Sequence, residues 1–376
     1  MIAEIELIAG LGAGAFVVSA CLTYAVGRWA LRRGYVDEPG PRKIHAEPVA
    51  LGGGIVVFWV VIGPITAAAL LVTWWDRRGG PGWLPEALSQ HVAGLADKGP
   101  AVLVLAAAAA LLHVTGLIDD RRRLGPWVKL TAELIVAAGL VIWGQMRMGF
   151  FIDNVWISGA VSVVWIVVVI NAFNFLDNMD GLSAGCGIIC SAMILAVAVG
   201  HEQWFVSGLL ALLIGALLGF LVFNFFPAKI FLGDAGSLLT GLLIAAATIR
   251  TTYYHEAVPN GYWFATLTPL IVLAVPLYDF AGVVLLRLAA GASPFVGDNR
   301  HFSHRLVGRG MTQPQAVLTI YLTTACTGLG ATFLGQVRPS GAVLILVQTL
   351  LILLIIAILE KRPLERGKNG KEDGVG

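Results

Sequence analysis

A chain of 376 residues that is 57% hydrophobic and only 13% charged, with a mean hydropathy of +0.82, falls outside the ordinary soluble class, in which about a quarter of residues are charged. Its formal net charge of +2 excludes little by itself, because the placement of Lys and Arg carries the information. Repeated apolar segments of about 17–25 residues, with no strand-like alternation, predict an all-α, polytopic membrane protein and exclude a barrel.

The first apolar segment, 5–26, follows a start of Met-Ile-Ala-Glu-Ile-Glu and lacks the basic residues that open a secretory signal. Val18-Ser-Ala-Cys21 resembles a lipoprotein cleavage box, but Arg28, Arg32 and Arg33 stand behind it, so the segment reads as a retained helix entering from outside. Further spans are predicted at 51–75, 100–118, 128–146, 157–173, 183–200, 204–223, 235–252, 263–288, 315–336 and 340–359. Eleven spans put the termini on opposite sides. With the C-terminus inside, Arg77, Arg78, Lys98, Arg147, Arg250 and Arg338 fall outside, and the other nineteen of the 25 Lys and Arg fall inside. The positive-inside rule therefore predicts an outer N-terminus and a cytoplasmic C-terminus. Residues 1–360 are expected to form one integral domain, and the polar, Gly-rich stretch 361–376 a disordered cytoplasmic tail. Cys21, Cys186, Cys190 and Cys326 all lie in apolar segments and read as small buried hydrophobes.

With that topology every polar motif falls on the cytoplasmic side. Asp37-Glu-Pro-Gly-Pro-Arg42-Lys43-Ile-His45 precedes Gly52-Gly53-Gly54 at the mouth of the second span. Basic residues beside glycines suit an anionic headgroup, because glycines let backbone amides approach phosphate. A plain inner loop explains the Arg and Lys equally well, but not the triple Gly. Next come Asp119 and Asp120 at the end of the third span, followed by Arg121, Arg122 and Arg123. Adjacent carboxylates repel unless a cation or a shared proton intervenes. A Mg²⁺-phosphate complex would supply that charge, and so would the three neighbouring Arg.

The organising stretch is Asn171-Ala-Phe-Asn174-Phe-Leu-Asp177-Asn178-Met-Asp180-Gly181, a polar knot directly behind the apolar run Val161–Ile170. Neither lipid nor a core accepts such residues without partners. Steps of three advance by roughly 300° around a helix, so one straight helix cannot aim residues 171, 174, 177 and 180 at one ligand. Gly181 offers a break, with a new helix from Leu182. An EF-hand loop fails: with Gly181 at its sixth position, Leu176 falls first and Gly187 twelfth, where a Glu is needed. Helix capping explains one or two of these residues, not the set.

Lys229-Ile-Phe231-Leu-Gly233-Asp234-Ala-Gly236-Ser237 opens the eighth span. An Asp between glycines at a helix start can ligate a metal while free amides hold phosphate oxygens, and the simpler reading is an N-cap. Asp279 lies inside the ninth span, where a carboxylate costs about 2.5–3.5 kcal/mol and so points into the bundle. Asp298-Asn-Arg300-His301-Phe-Ser303-His304-Arg305 places two His three residues apart, suited to a diphosphate or to proton transfer. It lacks the Glu of a zinc motif.

Taken together, Asp-Asp, Asn-x-x-Asn-x-x-Asp-x-x-Asp-Gly-Leu, Phe-x-Gly-Asp-x-Gly-Ser and the late His-x-x-His, in this order on eleven spans, resemble the polyprenyl-phosphate N-acetylhexosamine-1-phosphate transferases. The resemblance is clearest over residues 35–310. It implies transfer of a sugar phosphate, most simply GlcNAc-1-phosphate, from a UDP-sugar to undecaprenyl phosphate, with Mg²⁺ (or Mn²⁺) and release of UMP, for cell-envelope polysaccharide synthesis. The implied catalytic set is Asp119, Asp120, Asp177 and Asp180, with Asp234 as metal ligand. Arg42, Lys43, His45, Asn171, Asn174, Gly233, Asp279, Arg300, His301, Ser303 and His304 are the implied substrate-binding residues. The implied partners are the two substrates and membrane lipid, with room for a homodimer and no role for nucleic acid. The implied location is the inner membrane, with the site on its cytoplasmic face.

The branch of that family acting on UDP-N-acetylglucosamine usually shows His-x-His-His, and here Ser303 holds the third position. The branch acting on UDP-MurNAc-pentapeptide has three consecutive His, which this chain also lacks. An ion-coupled transporter would place charges near midplane in both halves and carry an internal repeat, whereas these polar residues crowd one face. An intramembrane aspartyl protease would need Asp234 and Asp279 to meet at membrane depth, and Asp234 sits at a loop.

Overall fold

The computed structural model describes residues 2–39, 47–78, 86–149, 152–253, 263–291, 293 and 301–361. Arg42, Lys43, His45, Arg300 and the expected tail beyond 361 lie outside the described residues.

The helices are α1 (Ile2–Arg33), α2 (Gly53–Asp76), α3 (Glu86–Arg121), α4 (Pro126–Ile142), α5 (Val155–Leu176), α6 (Leu182–Gly200), α7 (Trp204–Asn224), α8 (Asp234–Arg250), α9 (Thr268–Val272), α10 (Ala274–Ala289), α11 (Phe302–Val307), α12 (Gln313–Thr332) and α13 (Pro339–Lys361). Helix lies on each of the eleven apolar segments, and the chain is a multi-pass membrane protein. Among the described residues seven helices are long and apolar enough to cross a bilayer, eight if a bent pair forms one span. That pair is α9 with α10. Pro276 has no N–H to give to the Val272 carbonyl, so α9 stops there and α10 resumes at an angle of 63°. α4 and α8, at 17 residues each, are about 26 Å long, a little short of a hydrocarbon core of about 30 Å.

The length of α8 matters less because it does not meet lipid. Every residue from Ala235 to Ile249 is buried, and α2, α3, α5, α6 and α7 all pack on it. Its N-terminal turn is gripped closely: a Cβ at Gly54 or Gly116 would collide with the backbone of residues 234–236, so only glycine lets α2 and α3 come this near. By contrast α1 and α13 lie at the rim, with most of their apolar side chains exposed.

Three very short strands, which the sequence pattern does not reveal, join two of the motif loops. β1 (Val36–Asp37) pairs antiparallel with β2 (Val49–Leu51), and β2 pairs parallel with β3 (Ile230–Phe231). This sheet fixes both ends of the loop carrying Arg42, Lys43 and His45 beside the segment that leads into Gly233 and Asp234.

The break expected at Gly181 is present. Gly181 takes a φ of +76°, α5 ends before it and α6 begins at Leu182. Its amide donates to Asn224 Oδ1 at 3.0 Å, and its carbonyl accepts from the Tyr321 hydroxyl. Asn224 also donates to the Ile230 carbonyl at 2.9 Å, so the knot is tied to β3.

Candidate active site

The ends of these elements surround a cleft of about 990 Å³. Asp120, Asp177, Asp180, Gly233, Asp234, His301 and His304 line it, with Asp37, Glu47, Asn178 and Lys229. The motifs that the sequence singles out, from Asp37 to His304, thus converge at one end of the bundle.

The carboxylates are not equivalent. Asp120 accepts from the amides of Asp234 at 2.8 Å and Ala235 at 3.3 Å. A side chain of α3 therefore caps α8, whose own N-cap, Gly233, has no side chain to do so. The Gly236 and Ser237 amides bond to the Gly233 carbonyl, at 3.1 and 2.9 Å. The expected free amides at this helix start are therefore engaged by protein groups. Gly233 stays at the cleft wall, in a backbone region (φ 72°, ψ 173°) that essentially only glycine enters.

Asp119 accepts from the Leu124 amide and from Lys129 Nζ, the latter at 3.2 Å. Lys129 also pairs with Asp234, so one ammonium bridges the Asp-Asp motif and the Gly-Asp motif. Among the described residues neither Asp119 nor Asp120 pairs with Arg121, Arg122 or Arg123, and Arg121 instead lies over the Tyr35 ring at 5.0 Å. Burial, then the nearby Asp234, Asp120 and Asp180, hold the Asp177 carboxyl well above the usual carboxylate range, while the Gly233 amide opposes them.

The knot divides as its helical drift requires. Asn171 faces away from the cleft and donates to the buried Glu133 of α4 and to the Val167 carbonyl. Its expected contact with substrate is replaced by this anchoring of α4 to α5. Asn174 donates to Asp234 Oδ1 and to Ser237 Oγ, each at 3.0 Å, holding the Asp234 side chain in place. Asp180 accepts from the Ala228 amide at 2.9 Å.

The His loop is held from three elements. Asp279 of α10 accepts from His301 Nδ1 at 2.8 Å and from the Phe302 amide at 2.9 Å. Ser303 is buried and donates to Asn178 Oδ1 at 2.6 Å, while Arg305 pairs with Glu360 of α13 at 2.8 Å. Asp279 and Ser303, both expected to touch substrate, are thus turned toward protein, and neither lines the cleft. Burial, and then His301 beside it, lower the His304 imidazole below its usual range, with Asp279 opposing.

Known proteins resemble this chain along nearly its whole length. A family model described as glycosyl transferase family 4 matches residues 102–252, which include the Asp-Asp, knot and Gly-Asp motifs. The decaprenyl-phosphate N-acetylglucosaminephosphotransferase of Mycolicibacterium smegmatis is 31% identical, over 95% of this chain and 90% of the relative. The chain belongs to glycosyl transferase family 4. The corresponding decaprenyl-phosphate enzyme of Mycobacterium tuberculosis is 32% identical, over 85% of this chain and 81% of its own. The undecaprenyl-phosphate alpha-N-acetylglucosaminyl 1-phosphate transferase of Escherichia coli K12 is 28% identical, over 82% and 79%.

In this family 4 member the carboxylates on the cleft, Asp120, Asp177, Asp180 and Asp234, offer oxygen donors, which suit a hard divalent ion. Among the described residues no three His, Cys, Asp or Glu side chains are drawn together as a finished ligand set, and the Lys129 ammonium lies between Asp119 and Asp234. The positive charge among these carboxylates is here that of lysine. Lys129, Glu133 and Glu360 are the residues that motif reading passes over, and Asn178, inside the knot, is given no role by it. Lys129 and Glu133 carried a signal, as ionisable residues one helical turn apart in an apolar segment.

Proposed function

We propose that this family 4 member transfers N-acetylglucosamine 1-phosphate from UDP-N-acetylglucosamine to undecaprenyl phosphate and releases UMP, in cell-envelope polysaccharide synthesis. What carries this reading is the near full-length match to relatives named for that transfer, in a chain whose acidic and basic motifs share one cleft. A phosphate oxygen of the acceptor attacks the phosphorus that bears the sugar. The bond from that phosphorus to the bridging oxygen breaks, and UMP leaves with the electron pair. Most catalysis in such a transfer is positioning and neutralisation of phosphate charge.

The residues divide that work. Lys229, His301 and His304 face the cleft and would meet phosphate oxygens, joined by Arg42, Lys43, His45 and Arg300 from outside the described residues. Asp177, Asp180 and Asn178 line the nucleotide-sugar side. Asp234, with Asp177 beside it, would hold Mg²⁺ or Mn²⁺, and Asp120 and Asn174 keep Asp234 in place. The ion, when bound, offsets phosphate charge. On eleven spans, the nineteen-to-six division of Lys and Arg supports a cytoplasmic site with the N-terminus outside.

The test is UMP release from a panel of UDP-sugars by membranes supplied with undecaprenyl phosphate. UDP-N-acetylglucosamine is the expected donor, with activity lost in excess EDTA and restored by Mg²⁺. Preference for UDP-MurNAc-pentapeptide, or full turnover in EDTA, overturns the donor or the metal assignment respectively.

A further inference from the structure

We propose that Asp279 is a positioning residue that acts on the reaction only through His301, fixing which ring nitrogen meets the substrate. The proposal deepens the transfer reading above and rests on it. Asp279 stands in the first half of α10 with 0% of its surface exposed, so no substrate atom reaches it. Its two oxygens divide between consecutive residues: Oδ2 takes His301 Nδ1 at 2.8 Å, and Oδ1 takes the Phe302 amide at 2.9 Å. One carboxylate therefore sets both the ring and the start of the short helix α11 behind it.

Two other rings flank the imidazole. Phe175 meets it edge-on with centroids 5.6 Å apart, and His304 stands 6.3 Å away on the loop. Phe175 is itself backed by Arg287, whose guanidinium lies 5.1 Å from its ring centroid. A carboxylate only accepts hydrogen bonds, so Nδ1 must carry the proton in this pair. His301 lines the cleft, and Nε2 is the ring nitrogen left to face it. The neutral ring offers a lone pair there. Once protonated, it offers an N–H to a phosphate oxygen, with the Asp279 charge behind the ring.

Asp279→Asn tests this with little change of shape. Its amide oxygen can still accept from Phe302, while its NH₂ donates to Nδ1 and reverses the tautomer, placing the proton on Nε2. Full-length wild type, Asp279→Asn, His301→Ala and the double variant are compared for kcat and KM with UDP-N-acetylglucosamine. Each single variant is expected to lose about tenfold or more in kcat/KM, and the double to be no worse than His301→Ala within about twofold, because residues acting through one another are not additive. Losses that multiply in the double variant, or a silent Asp279→Asn, overturn the proposal.

A second readout does not depend on turnover. In ¹⁵N-histidine-labelled protein, the ring signals missing from His301→Ala belong to His301. They should show the proton on Nδ1 in the wild type and on Nε2 in Asp279→Asn. An Nε2 proton on a neutral ring in the wild type refutes the geometry even if the transferase is fully active. The expected tautomers in a protein that releases no UMP would refute the transfer reading and leave the Asp279–His301 pairing intact.

Discussion

Lys129→Met removes the one ammonium that two motifs share. In the native chain its Nζ bonds Asp119 at 3.2 Å and pairs with Asp234, and the three side chains are 19%, 14% and 26% exposed. Met keeps the apolar stem and deletes the charge. Deleting one partner of a fully buried pair costs about 3–5 kcal/mol, because the other charge is left uncompensated. Partial exposure screens these groups, so roughly 2–3 kcal/mol is the working value. Two carboxylates left facing each other should then recruit a cation more strongly. Thermal unfolding of the purified protein in EDTA and in Mg²⁺ measures this directly. The variant is expected to unfold at a lower temperature in EDTA and to gain more from Mg²⁺ than the wild type does, with UMP release down at least about tenfold. A variant as stable as wild type in EDTA, with no added response to Mg²⁺, would refute the account of Lys129 as the charge that holds Asp119 and Asp234 together.

Ser303→Ala tests the inward orientation of that hydroxyl. Freeing Asn178, which itself borders the cleft, from this bond costs about 0.5–1.5 kcal/mol, so stability should fall together with kcat/KM for the nucleotide sugar; a change in KM at unchanged stability would return Ser303 to the substrate. Gly233→Ala places a Cβ 2.6 Å from Asp120 Oδ2 in a backbone region that costs about 1–3 kcal/mol for alanine. It should abolish most UMP release by displacing the cap of α8, and near-normal turnover would show that the cap is dispensable. A cytoplasm-active reporter fused after Glu360 is expected to be active, and activity only from an outward-facing reporter would reverse the orientation.

Hydrophobic patterning reads the helices of this chain well, because lipid and core both select long apolar runs and the helical period follows from backbone geometry. It also shows where polarity is expensive, and those places converge: Asp120, Asp177, Asp234 and His301 meet at one cleft. What it does not report is the partner. Asp120 and the amides it caps are 114 and 115 residues apart, Asn171 and Glu133 are 38 apart, and Ser303 and Asn178 are 125 apart. Each pairing is decided by how helices pack, which no local period encodes. Reading each motif alone therefore hands every polar group to a ligand, whereas the packed chain first satisfies its own amides and carboxylates. Asn171 shows the limit from the other side. The 300° step already places it off the face of Asp177, but only α4 lying against α5 reveals that the buried Glu133 is what it meets. The rule that singles out Asp279 as a carboxylate inside an apolar span applies equally to Glu133. Both turn out to be buried and bonded to a neighbour that a motif had claimed, so intramembrane acids in this fold mark supports of the site as much as the site itself.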